Sequence, residues 1–228
     1  MISRYIPFLL FWMSLYPFSV SYSSDWNEAP VPKLKKTIRG EVQLPRPLWN
    51  KAFEKNFSGV FNAGLSMNWG GKHFNMGGFY SLTQYQIFPQ FGKPADTPHT
   101  ILTNHTTGIK FFYDLLTTTG NGMFSPYLSA GYTFMSYTRV QCIKQTPHNT
   151  KTGGINMNAG AAYNIMMDEW VGVGFTVGYN VIDHVFNPTN ICLDEYMDFH
   201  INDRKGSLQN IFFGFSLYFD LAKKPEGQ

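Results

Sequence analysis

Charge is scarce in this chain: Asp, Glu, Lys and Arg make up 14% of its 228 residues, against about 25% in ordinary soluble domains. The net charge of +3 is too small and too scattered to form the basic face that a nucleic acid requires, so that class of partner is excluded. Long apolar runs are missing as well. No stretch beyond the N-terminus approaches the ~18 residues needed to carry a helix through a bilayer, which excludes a helical membrane protein. There are only two cysteines, and neither a CxxC nor an HxxxH spacing occurs, so no metal or other cofactor site is expected.

Aromatic residues are abundant instead, at 17%, with 21 Phe and 13 Tyr beside 21 Gly. Their arrangement is regular. In "WVGVGFTVGYNV", Val171, Val173, Phe175, Val177, Tyr179 and Val181 share one parity, and Gly172, Gly174, Thr176, Gly178 and Asn180 share the other. Successive strand residues point to opposite faces, so the segment has one bulky apolar face and one small polar face. A solvated exterior would carry Lys and Glu on the second face, and here it carries none. The bulky face is therefore expected to meet lipid.

The N-terminal "MISRYIPFLLFWMSLYPFSVSYSS" has one early cation, Arg4, an apolar stretch from Tyr5 to about Phe18, and small residues at Ser19, Ser21, Ser23 and Ser24. This reads as a secretory signal peptide over residues 1–23. A proline-bearing polar linker over 24–36 follows, then a barrel over 37–220 and a short periplasmic tail over 221–228. Export takes Cys142 and Cys192 into an oxidising compartment, where they can form a single disulfide.

Eight alternating segments are expected between Thr37 and Phe219. The connections at 45–56, 89–102, 141–153 and 183–206 are long, whereas those at 70–72, 116–123 and 167–169 are short. Two details stand out against the alternation: Phe79 falls on the polar parity, and the pattern blurs after Met135. A sheet in lipid must close and leave no free edge. Long connections at one end and short turns at the other describe an eight-stranded antiparallel up-and-down transmembrane β-barrel, an all-β fold with both termini at the short-turn end. Its bore is only wide enough for packed side chains, so a permeation pore is not expected.

With this pattern, "PYLSAGYTF" and the aromatic final strand "IFFGFSLYF", the chain resembles the small eight-stranded outer-membrane barrels of Gram-negative bacteria. That group is typified by the membrane domain of OmpA and by OmpW-like proteins. The resemblance implies an outer-membrane location with lipid around the wall; no enzymatic activity is expected because the residues offer no convincing catalytic constellation.

Arg39, Glu41, Lys110 and Asp114 fall on the inward parity and are expected to form a charge network that plugs the bore, with Lys110 and Asp114 paired. Trp69 and Trp170 lie at short-turn strand ends, where indoles favour the membrane interface. Cys142 and Cys192 fall in neighbouring long connections. In "LPRPLWNKAFEKN", Trp49, Lys51, Phe53 and Lys55 form a candidate loop for docking a protein partner, or else an aromatic-anchored loop folded over the barrel mouth. The six histidines are scattered, and the nearest approaches to a catalytic group are His105 with Thr107 and His73 with Ser81. The functional expectation is a structural or partner-binding subunit of an outer-membrane complex, or a surface-binding protein. The alternatives are a soluble lipocalin-like barrel carrying an apolar ligand and, behind it, a lipid-modifying enzyme.

Overall fold

The computed structural model describes residues 35–71, 73–87, 100–117, 121–140, 142–143, 150–168, 170–196, 198–200, 202 and 206–221. The expected signal peptide, most of the linker and the end of the tail lie outside these residues. Eight strands follow in order: β1 (Lys35–Leu48), β2 (Phe57–Gly70), β3 (Phe74–Ile87), β4 (Ile101–Tyr113, resuming at Leu115–Leu116), β5 (Gly122–Thr138), β6 (Thr150–Met166), β7 (Val171–Val185) and β8 (Ser207–Asp220). Every neighbouring pair is antiparallel, and β1 pairs with β8, so the sheet closes into an up-and-down barrel.

Pairing once round the wall runs from Thr37 through Asn68, Gly77, Lys110, Ser129, Asn158, Asn180 and Asn210 to Pro47, ten residues further along β1. That stagger tilts the strands by about 40° and leaves a bore that side chains fill. On the outward face of β1, Lys36 and Arg46 flank an uncharged stretch. Ten residues at ~3.3 Å each, so tilted, rise about 25 Å, the height of a membrane-spanning apolar belt.

The first long connection departs from expectation. Residues 45–48 continue β1, and a six-residue helix, α1 (Lys51–Asn56), occupies the rest. Prolines are tolerated in β1 because its pairing with β2 ends at Gln43–Asn62. The Pro45 carbonyl faces Gly59 of β2, so the proline nitrogen on the same edge has no ladder partner to lose. Gly59 accepts this approach because a Cβ there would sit 1.9 Å from the Pro45 oxygen, and β2 bulges between Gly59 and Phe61. α1 is capped by Asn50, whose Oδ1 accepts from the Phe53 N–H at 3.0 Å.

The two irregularities of pattern are genuine inward residues. Phe79 lines the bore opposite Gly108, where the partner strand leaves room. Met135 and Tyr137 continue the inward parity of β5, because the interior itself turns apolar towards the long-connection end.

Candidate functional site

The bore is filled in layers from the short-turn end upward. Arg39 of β1 reaches across to Asp114, at the interruption in β4, and its Nη2 donates to both carboxylate oxygens at 2.7 Å. The remaining capacity of that carboxylate is used by Asn75 of β3 at 2.8 Å and Ser125 of β5 at 2.7 Å. The guanidinium lies 3.9 Å from the Phe112 ring centroid and 5.1 Å from that of Tyr218, which offsets part of the hydration lost by Nε and Nη1. One layer higher, Lys110 donates to Glu41 and sits 3.9 Å from the Tyr127 ring centroid and 5.0 Å from that of Phe112. Gly160 and Gly178 make room for Tyr127, whose hydroxyl would lie 2.5 Å from a Cβ at either position.

The four inward charges thus meet as two pairs, Arg39–Asp114 and Lys110–Glu41. The expected Lys110–Asp114 pair does not form. On a strand, residues four apart lie ~13 Å apart along the same face, so each charge finds its partner across the bore instead. The aromatic members, Phe112, Tyr127 and Tyr218, were missed as functional residues, although Phe112 and Tyr218 interrupt otherwise polar inward stretches and could have been noticed there.

Above the ion pairs, Gln43, Asn62, Thr83, Thr133, Asn156 and Asn180 are joined by side-chain hydrogen bonds of 2.7 to 3.0 Å in two groups. A cavity of about 40 Å³ lies among these layers, large enough for a few water molecules. Orphan polar atoms of Asn104, Ser129 and Asn158 border it. At the mouth, Phe53, Phe57, Tyr85, Leu102, Tyr137, Phe186 and Leu208 pack into an apolar plug. Ile191, Cys192 and Leu193 from two single-turn helices between β7 and β8 complete it.

Outside, the parity is reversed. Val42, Leu65, Leu128, Val177 and Phe215 all point away from the barrel, Phe215 with 64% of its surface exposed. A soluble carrier of an apolar ligand would need the opposite arrangement.

No protein-family model and no curated protein matches the chain. Among solved structures, a major outer membrane protein from Thermus thermophilus aligns with a TM-score of 0.55 at 10% identity, covering 83% of this chain and 100% of that one. Neisserial surface protein A aligns at 0.44 and 12% identity, covering 82% and 96%. The N-terminal β-barrel domain of Pseudomonas aeruginosa OprF aligns at 0.39 and 14%, covering 81% and 97%. The chain has the fold of the small outer-membrane β-barrels.

In this outer-membrane-type barrel, Trp69 and Trp170 sit exposed at the short-turn end, level with Lys36 and Asp220 respectively. Cys142 and Cys192 are joined by a disulfide that ties the two long connections beside the plug. The proposed docking loop divides. Phe53 is 1% exposed and stacks on Phe57 with centroids 4.7 Å apart, so it is an anchor inside the mouth and not a docking residue. The cause is amphipathicity: α1 turns Ala52, Phe53 and Asn56 inward and leaves Lys51, Glu54 and Lys55 exposed. Trp49 is 70% exposed and has φ +66°, a conformation that costs an aromatic L-residue of order 1–3 kcal/mol.

The histidine pairings do not assemble. His105 points outward and its Nδ1 lies 2.7 Å from the Tyr80 hydroxyl, whereas His73 sits at the short-turn end with Nδ1 2.9 Å from the Asp114 carbonyl oxygen. Ser81 lines the bore, well removed from His73 along β3. Among the described residues no cluster of three potential metal ligands occurs.

Proposed function

We propose that this is an exported integral protein of a Gram-negative outer membrane, without enzymatic activity, whose working part is its outer surface. It acts as a structural or partner-binding subunit of an outer-membrane complex or as a surface-binding protein, with the disulfide-tied cap at the long-connection end facing outward. In this reading residues 1–23 are removed on export, 24–36 form a linker, 37–220 the barrel and 221–228 a periplasmic tail. One observation carries the proposal: a closed wall with an uncharged, apolar outer belt encloses a bore that is blocked by ion pairs, hydrogen-bonded amides and an apolar plug in succession. Such a wall is stable only in lipid, and such a bore leaves binding to the exterior.

The test combines two measurements on cells expressing the full chain. The protein is expected in the membrane fraction, extracted only by detergent, and to migrate differently on gels with and without boiling. Affinity purification from the same membranes should then yield a defined companion. Recovery in the soluble exported fraction, or identical migration before and after boiling, would refute the membrane reading.

A further inference from the structure

The geometry points to a docking site for a phosphate-bearing lipid headgroup on the outer face of β1, formed by Arg46, Trp49 and Lys51. The inference rests on the membrane reading above and adds a ligand to it. Trp49 is held at φ +66° by a tight turn in which the Asn50 N–H donates to the Leu48 carbonyl at 2.8 Å. That turn is imposed from within. Asn50 is fully buried, caps α1 and donates through Nδ2 to the Gly206 carbonyl at 3.1 Å. Glycine would make the turn without strain. The chain instead carries its bulkiest residue there, with the indole directed into the surroundings and no hydrogen-bond or ring partner among the described residues. Burial and capping of Asn50 fix the turn, so the indole is presented to the surroundings at a fixed position.

The level of the site identifies the surroundings. Arg46 pairs with Ile211, which pairs with Tyr179, so these three lie in one hydrogen-bonded row. Directly below, Val42, Leu44 and Phe213 are exposed and apolar. Towards this end of the wall outward polar groups appear: Tyr179 bonds to Gln209, and round the wall Tyr80 bonds to His105. Arg46 itself stands ten residues above Lys36 on the outward face of β1, about 25 Å higher at this tilt, and so marks the upper limit of the apolar belt, where headgroups start and indoles settle.

Charge selects the ligand. Arg46, Lys51 and Lys55 are exposed and make no ion pair among the described residues, and Glu54 is the one acid of α1. Of the rim acids further on, Asp194 is engaged by the Thr189 hydroxyl and Glu195 by the Ile143 N–H. Cations beside an indole at headgroup depth complement a lipid phosphate. A protein arriving from solvent would meet the top of the cap, and not the lipid-level face of β1 where Arg46 stands.

The experiment refolds the full chain into nanodiscs of phosphatidylcholine containing a minor share of phosphatidylglycerol or of lipid A. The protein is then released into neutral detergent, and its retained lipids are counted by native mass spectrometry. The wild type is expected to keep anionic lipid above its share of the bilayer. The double variant Arg46→Glu, Lys51→Glu should lower retention by about fivefold per lost cation. Trp49→Ala should lower it while leaving the heat-dependent gel shift intact. Lys151→Glu, elsewhere on the rim, should change nothing, and inorganic phosphate should not displace the lipid. Equal retention in wild type and double variant, or an equal loss with Lys151→Glu, overturns the site. Displacement by phosphate overturns the lipid as its ligand. A chain that never enters nanodiscs refutes the membrane reading itself, whereas one that enters and keeps no anionic lipid refutes this site alone.

Discussion

Removing the Asp114 carboxylate would leave the Arg39 guanidinium inside the bore with no counter-charge and deprive Asn75 and Ser125 of their acceptor. Both partners are nearly sealed from water, at 3% and 1% exposure, so Asp114→Ala is expected to destabilise the barrel by about 3–5 kcal/mol. The cross-bore geometry then sets the couplings. At an effective dielectric near 20, opposite charges ~4 Å apart attract by about 4 kcal/mol, and charges ~13 Å apart by about 1 kcal/mol. A double-mutant cycle on Arg39→Ala and Asp114→Ala should therefore show a coupling roughly three or more times that of a cycle on Lys110→Ala and Asp114→Ala. The readout is urea unfolding of the refolded barrel in lipid vesicles, followed by tryptophan fluorescence and checked by gel shift. A Lys110–Asp114 coupling equal to or larger than the Arg39–Asp114 coupling would refute the register that brings Arg39 to Asp114.

Phe215→Arg, in the middle of the outer belt, should cost about 2–4 kcal/mol in lipid, whereas Ile143→Arg, exposed on the cap, should be near neutral; equal effects in vesicle unfolding would mean that the belt is misplaced. Phe53→Ala should destabilise by about 3–5 kcal/mol as a lost core aromatic, and a barrel of unchanged stability would return Phe53 to the role of a docking residue. The disulfide closes 50 residues of sequence separation, for which the loop-entropy model gives at most about 4 kcal/mol. Replacing both cysteines by serine should therefore leave the strands assembled but make the connection between β7 and β8 protease-sensitive, and free alkylatable thiols at both positions of the oxidised wild type would contradict the bridge. Trp49→Gly should stabilise the barrel in neutral detergent by about 1–2 kcal/mol through relief of the positive φ, as measured by its unfolding midpoint.

The wall was largely legible in the sequence because strand parity is a local property. Eight segments, their inward and outward faces and the alternation of long and short connections all follow from a period of two read along a few residues at a time. Reading failed where a face changed its chemistry partway up the barrel. Met135 and Tyr137 look like a lapse in alternation only if the interior is assumed to be polar throughout, and in fact they enter the apolar plug. For Phe53 the sequence left two readings open, a docking residue or an aromatic anchor over the mouth, because the six-residue helix that turns it inward leaves little periodicity to detect.

By itself, then, the sequence determined a closed barrel, which side of each strand meets lipid, and which charges must be interior. Each of these follows from the intolerance of a bilayer for unpaired backbone and exposed charge. Only the tertiary structure decided who meets whom. The ten-residue stagger round the wall sets which inward side chains share a level, and so gives Asp114 to Arg39 and Glu41 to Lys110. The same pairings put Arg46, Ile211 and Tyr179 in one row across three strands. Stagger is a property of the closed sheet as a whole, summed over eight pairings, and no single strand carries it.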